Sequence, residues 1–175
     1  MDVEHNLIQR CINGDNKAFE RLVVRYEQRI MRFLRLKCSV QSDADDIFQE
    51  TFINMHRYIN TYDPAYPFSS WLFKIAINAL NKYYKKLEAF DELNTECVLQ
   101  EHSTADNIWR VAKQTLPPSQ LNLLWLTYAE GYTGKETASI MEKSLPWIKI
   151  NLVRAKHQLR QALRHDTAPL SDWIN

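Results

Sequence analysis

The sequence predicts an all-α protein: two small helical domains joined by a flexible acidic linker, the C-terminal one a helix-turn-helix. Three observations carry that expectation. Only three glycines occur in 175 residues, while Leu, Ala, Lys, Arg, Glu and Gln are common, which favours helix throughout. Apolar residues recur at steps of three and four in one segment after another. Charge is segregated behind a net value of +1: residues 51–87 hold five basic residues and one acid, residues 88–106 six acids and no Lys or Arg, and residues 107–165 nine basic residues and three acids. Two basic blocks separated by an acidic strip read as two modules and a linker. The expected divisions are 1–87, 88–106, 107–165 and a short tail, 166–175. Basic blocks point toward a polyanion partner, the alternative being solvated faces.

Composition excludes several classes. Apolar residues make up 45% of the chain, enough for a core. No apolar run approaches the ~20 residues a membrane span needs. The opening MDVEHNLIQR lacks the basic head and apolar centre of a secretory signal. Cys11, Cys38 and Cys97 are widely spaced and odd in number, as expected of reduced thiols in a cytoplasmic protein.

The elements follow in order. A short helix is expected over residues 4–12, closed by the turn Asn13-Gly14-Asp15 with Asp15 as cap. In the next segment Phe19, Leu22, Val23, Tyr26, Ile30, Phe33 and Leu34 form one buried helix face. Ser42, with Asp45 three residues on, approximates a capping box for the following helix. Asp43, Asp45 and Asp46 would sit in its first turn, where the helix dipole favours negative charge. Ile47, Phe48, Thr51, Phe52 and Met55 would form its core side. A loop NTYDPAYPFSS precedes WLFKIAINALNKYYKK, capped by Ser69 or Ser70, with Trp71, Leu72, Ile75, Ala76, Ala79 and Leu80 inward. Beyond the acidic strip, residues 105–115 read as a helix interrupted by Pro117-Pro118. SQLNLLWLTYAE makes the next, stopped by Gly131. TGKETASIMEK is a short helix, with Ala138 where close packing needs a small side chain. Ser144 then caps LPWIKINLVRAKHQLRQALR, whose Pro146 is tolerated because first-turn amides lack intrahelical partners. A short helix, a turn and a longer basic helix outline a helix-turn-helix.

The chemistry concentrates in DADDIFQETF, residues 43–52. Asp46 and Glu50, four apart, share a helix face and are the pair a divalent ion would use. Such a site needs further ligands from other helices. No Gly-rich phosphate loop, no His-Glu-x-x-His and no nucleophile beside a base accompanies them. The expectation is therefore no catalytic residue, no metal and no cofactor. Dipole compensation accounts for Asp43 and Asp45 but says little of Gln49 and Glu50.

DADDIFQETF resembles the core-polymerase-binding segment of bacterial sigma factors of the extracytoplasmic-function group. YDPAYPFSSWLFKIAINALNKYYKK is similar to that family's promoter-melting and proximal-element segment. GDNKAFERLVVRYEQRIMRFL resembles its opening helices. The stretch from LPPSQ to RQAL is similar to its C-terminal helix-turn-helix domain. The likeness covers almost the whole chain in order and spacing.

The resemblance implies a transcription initiation factor, not an enzyme, acting in the cytoplasm away from any membrane. Its partners would be core RNA polymerase, through the beta-prime coiled coil and beta flap, and promoter DNA. An anti-sigma or recruiting protein is a further candidate. Asp46, Gln49, Glu50 and Asn54 match the polymerase-contacting positions. Carboxylates and amides facing arginines make charge-assisted, directional hydrogen bonds. Phe48 and Phe52 are either core or docking surface. Tyr62, Asp63, Tyr66, Phe68 and Trp71 match the loop that captures an unpaired promoter base, although Phe68 and Trp71 serve equally as loop anchors. Asn78, Lys82, Lys85 and Lys86 read as contacts to the single strand and its phosphates. The acidic strip is either a mimic of nucleic acid in the polymerase channels or an ordinary linker.

The distal DNA candidates are Ser144, Trp147, Lys149, Asn151, Arg154, Lys156 and His157. Here the chain departs from the family. Glu142 stands where a small residue or glycine is usual. Trp147 replaces a hydroxyl residue, Ile150 a serine and Asn151 a basic residue. The expectation is a helix-turn-helix whose distal-element recognition is atypical or assisted by a partner. The competing readings are a stand-alone helix-turn-helix regulator and an all-helical metal enzyme using the Asp cluster.

Overall fold

The structure, a computed structural model, describes residues 3–89 and 104–165. Among them the chain forms eight α-helices and no strand. The expected all-α class is what the chain adopts. It divides into two compact units, Met1–Cys97 and Val98–Asn175. Most of the acidic strip, with Cys97, and the tail after residue 165 lie outside the described residues. None of the described helices is long and apolar enough to cross a membrane.

In the first unit α1 spans Val3–Ile12 and buries Leu7, Ile8 and Cys11. The chain turns through Gly14, whose φ of 84° suits a residue without Cβ. Asp15 then caps α2, Asn16–Lys37, accepting from the backbone N–H of Lys17 at 2.9 Å and of Ala18 at 3.2 Å. The Arg10 guanidinium, 2.6 Å away, and then those backbone bonds hold the Asp15 carboxyl below its ordinary range. The apolar stripe of α2 is buried at Leu22, Tyr26, Ile30, Phe33 and Leu34, while Phe19 and Val23 flank it half-buried. The Tyr26 hydroxyl donates to Glu4, which also accepts from Arg25 at 2.9 Å, so α1 is pinned to α2.

α3, Gln41–Tyr58, begins two residues earlier than the capping-box reading requires. Val40 stands at the N-cap and supplies no side-chain bond. Gln41 Nε2 donates to Asp45 at 3.0 Å, so that carboxylate serves its own helix surface instead of a Ser42 cap. Of the acids, Asp43 alone lies in the first turn. Ile47, Thr51, Phe52 and Met55 are buried, and Phe48 is half-buried against Phe52, ring centroids 4.7 Å apart. A 3-10 turn over Ile59–Thr61 closes the helix.

α4, Phe68–Ala89, is not capped by Ser69 or Ser70. The Pro67 carbonyl accepts from the N–H of Ser70 at 3.0 Å and of Trp71 at 3.4 Å. Ser69 and Ser70 already lie within the helix. The reason is Phe68, 1% exposed. Its ring packs 5.5 Å from Tyr26, 5.2 Å from Tyr62 and 5.4 Å from Trp71. Drawing so large a ring inward starts the helix early, and burial of one such side chain stabilises the fold by roughly 1.5–3 kcal/mol. Phe73 and Ile77 join the expected stripe in the core, and Trp71 and Ile75 stay half-buried. Two phenols then tie down the far end. Tyr83 donates to Asp43 at 2.7 Å and Tyr84 to the Lys37 carbonyl at 3.1 Å.

The second unit opens with α5, Thr104–Thr115, burying Val111 and Ala112. Pro118 occupies the first turn of α6, Pro118–Leu124, where its missing N–H costs nothing. The segment expected as one helix ends in a π-helical turn, Trp125–Ala129. Trp125 packs 4.9 Å from Trp109 and its Nε1 donates to Glu130 at 3.1 Å. Gly131, φ 75°, lets the chain leave the turn. Thr133 and Glu136 form a reciprocal capping box on α7, Gly134–Met141. Glu142 ends α7 with φ 53°, the left-handed conformation that glycine takes at this position in many helices. α8, Leu145–His165, starts as expected, with the Ser144 hydroxyl accepting from the Trp147 N–H at 3.3 Å. Its inner face buries Ile148, Ala155, Leu159 and Leu163.

Candidate functional site

Three surfaces carry the residues singled out by sequence. The first is the outer face of α3. Asp46 and Gln49 are exposed, Glu50 is half-exposed and Asn54 half-buried. Their spacing keeps them on one side of the helix. Phe52 belongs to the core and Phe48 rests on it, so neither leads this surface. Ile53, 57% exposed, lies three residues from Glu50 and four from Gln49 and so within the same face. Sequence reasoning passed over it, although its offset from those two polar residues was the available signal.

Glu50 is also the link to the second surface. Lys82 on α4 donates to it at 2.8 Å. The two residues line a groove of about 390 Å³ together with Asn54, Arg57, Tyr58, Ile75, Asn78 and Ala79. Candidates assigned to separate tasks by sequence, Glu50 and Asn54 on one side and Asn78 and Lys82 on the other, therefore share one depression. Among the described residues no group of three or more His, Cys, Asp or Glu side chains could hold a metal ion.

The loop between α3 and α4 is held by its own polar groups. Tyr62 donates to the Tyr66 carbonyl at 2.7 Å, and Asp63 accepts from the Ala65 N–H at 2.9 Å. Burial, with Glu4 and Asp63 nearby, pushes the Tyr62 phenol up from its ordinary value. Tyr66 is 56% exposed and Trp71 half-exposed, so both offer ring surface to solvent. Phe68, 1% exposed, offers none and packs as an anchor of the loop. Asn78, Lys82, Lys85 and Lys86 are all exposed along α4.

The third surface is α8. Ser144, Lys149, Arg154 and His157 are exposed. Trp147 is half-buried with the Lys143 ammonium 5.8 Å from its ring, and Lys156 stands 5.2 Å over Tyr128. Asn151 faces inward: Nδ2 donates to the Trp147 carbonyl at 3.0 Å, and Oδ1 lies 3.5 Å from Gln120 Nε2. Both ends of its amide are therefore engaged within the unit. Two outward positions near it are apolar: Ile150 is 52% and Val153 69% exposed.

Residues 22–90 match the family model described as Sigma-70 region 2. The chain is 26% identical over 184 residues to the ECF RNA polymerase sigma-E factor of Escherichia coli strain K12, covering 94% of each chain. The factor of the same name from Salmonella typhimurium strain LT2 matches at the same identity and coverage. That of Haemophilus influenzae is 25% identical over 178 residues, covering 90% of this chain and 94% of its own. The fold resembles CnrH, solved in complex with the cytosolic domain of CnrY, with a TM-score of 0.74, 23% identity and coverage of 95% and 100%. It also resembles the sigma factor RpoE of Bartonella quintana, solved with the anti-sigma factor NepR, at a TM-score of 0.71, 19% identity and coverage of 86% and 99%.

Proposed function

We propose that the chain is a sigma factor of the extracytoplasmic-function group and that its surfaces divide the work of transcription initiation. It binds core RNA polymerase, directs it to specific promoters and helps open the proximal element. The first unit, about residues 1–87, holds polymerase through Asp46, Gln49, Glu50 and Asn54. The second, about residues 107–165, meets distal promoter DNA through α8. The acidic strip between them is the connector. The chain has no chemistry of its own; the polymerase supplies the catalysis, in the cytoplasm.

The α3 face is the observation that carries this reading. Its carboxylates and amide stand outward on a helix whose opposite side is spent on the core. A face of that kind suits arginines on a coiled coil, because a carboxylate takes a guanidinium through two parallel bonds. Strand opening costs a few kcal/mol per flipped base. The exposed rings of Tyr66 and Trp71 can offset it, since stacking on an aromatic ring is worth about 1–3 kcal/mol per base. Asp63, fixed by the Ala65 N–H, places an acceptor beside them. Lys82, Lys85 and Lys86 supply phosphate contacts, which give affinity more than sequence. The two similar solved proteins were each held by another protein, in one case a named anti-sigma factor. An anti-sigma partner for this chain is part of the proposal.

In vitro transcription with core polymerase and a random promoter pool tests the whole reading. The expected result is initiation from a selected subset of promoters. Glu50→Lys should abolish co-purification with core polymerase while leaving the helical circular-dichroism spectrum intact. Full activity of that variant would refute the assignment of the α3 face.

A further inference from the structure

Resting on that reading of the second unit, we propose that Ile150 and Val153 read thymine through its 5-methyl group in the major groove of the distal promoter element. The outward face of α8 is unusual in its chemistry. Leu145–His165 contains five Lys or Arg residues and no acid, so the partner it suits is a polyanion. Yet two large side chains exposed on it are apolar, Ile150 at 52% and Val153 at 69%. They lie three residues apart, hence on one ridge. Their separation along the axis is about 4.5 Å, close to one base-pair step of ~3.4 Å. Exposed Lys149 and Arg154 adjoin them.

The inward set of Asn151 sharpens the point. An outward Asn at that position would pair with adenine through two hydrogen bonds. Here its amide is engaged by the Trp147 carbonyl and Gln120. With that reader withdrawn, the base-edge feature left to an apolar side chain is the thymine methyl group. A protein partner fits less well. The third apolar residue of the ridge, Trp147, is half-buried beside Lys143 and does not widen the patch. Two aliphatic side chains among cations make a small patch by the standard of protein interfaces, which span several hundred Å².

Replacing thymine by deoxyuridine removes the methyl group and leaves every hydrogen-bonding atom. The experiment is transcription by the full chain with core polymerase, on a promoter selected from the random pool, with deoxyuridine in the distal half only. Each contacted methyl lost should lower promoter occupancy about three- to fourfold. The Ile150→Ser, Val153→Ser double variant should show no difference between thymine and deoxyuridine templates. Equal wild-type activity on both templates would overturn the proposal and leave the face to a protein partner, as would a selected distal element without thymine. Failure to initiate from any member of the pool would refute the initiation reading itself, and this inference with it.

Discussion

Lys82 Nζ stands 2.8 Å from Glu50 Oε1 across the seam between α3 and α4. One partner is proposed to meet polymerase and the other promoter DNA. The side chains are 76% and 38% exposed, so solvent screens the pair and it contributes at most about 1 kcal/mol to the fold. Its interest lies in competition: a polymerase arginine must share or displace Lys82. Lys82→Met is expected to tighten core binding by up to about fivefold at low salt. The same change in a Glu50→Gln background should do nothing. A fluorescence titration of core polymerase against the four proteins reads this directly, and equal effects in both backgrounds would show the pair to be irrelevant to docking.

The phenols of the first unit predict an alkaline limit. Burial first, and then Asp43, push Tyr83 far above its ordinary value. Burial and Glu4 do so for Tyr26, and burial chiefly for Tyr84. In the unfolded chain these groups ionise near pH ~10. Above that pH the unfolded state sheds protons that the folded state keeps, so stability falls as pH rises; below it the contribution is fully present. Melting temperature should therefore be level up to about pH 10 and fall beyond. Tyr83→Phe should lessen the slope. A scan by circular dichroism decides, and an identical slope in wild type and variant would remove Tyr83 from the account.

α7 is expected to respond oppositely to changes at its two ends. Thr133 and Glu136 satisfy each other's backbone N–H groups at its start. Thr133→Ala should cost about 1 kcal/mol. At the other end Glu142 holds φ 53°, a conformation that costs a residue with Cβ roughly 1–2 kcal/mol. Glu142→Gly should stabilise the chain by a sizeable part of that. Urea denaturation of both variants gives the two signs, and a destabilised Glu142→Gly would mean that the glutamate's own contacts outweigh its backbone cost.

What the sequence discloses is whatever repeats locally. The stripe from Leu22 to Leu34 and the Ser144 cap follow from spacing within a few residues, and the structure contains both. The Thr133-x-x-Glu136 box was equally local and is readable as a motif. Contacts between distant parts of the chain leave no periodic trace. The Tyr83 hydroxyl finds a carboxylate 40 residues away, and Tyr84 a carbonyl 47 away. Nor does period name the partner of a polar residue at the edge of the buried face: Asn151 Oδ1 lies 3.5 Å from Gln120 on α6, and nothing in the spacing of α8 points to that residue. The start of α4 escaped because a buried ring, Phe68, overrode the preference of serine for the cap.

Trp71 lies 5.8 Å from Tyr62 and 5.4 Å from Phe68, half open to solvent. It is the first of five tryptophans in the chain, and the other four, at 109, 125, 147 and 173, all follow residue 98. Substituting those four leaves a molecule with a single indole emitter, placed beside the loop that is proposed to hold an unpaired base. Such a chain would report strand opening by its own fluorescence, in real time and without an attached dye.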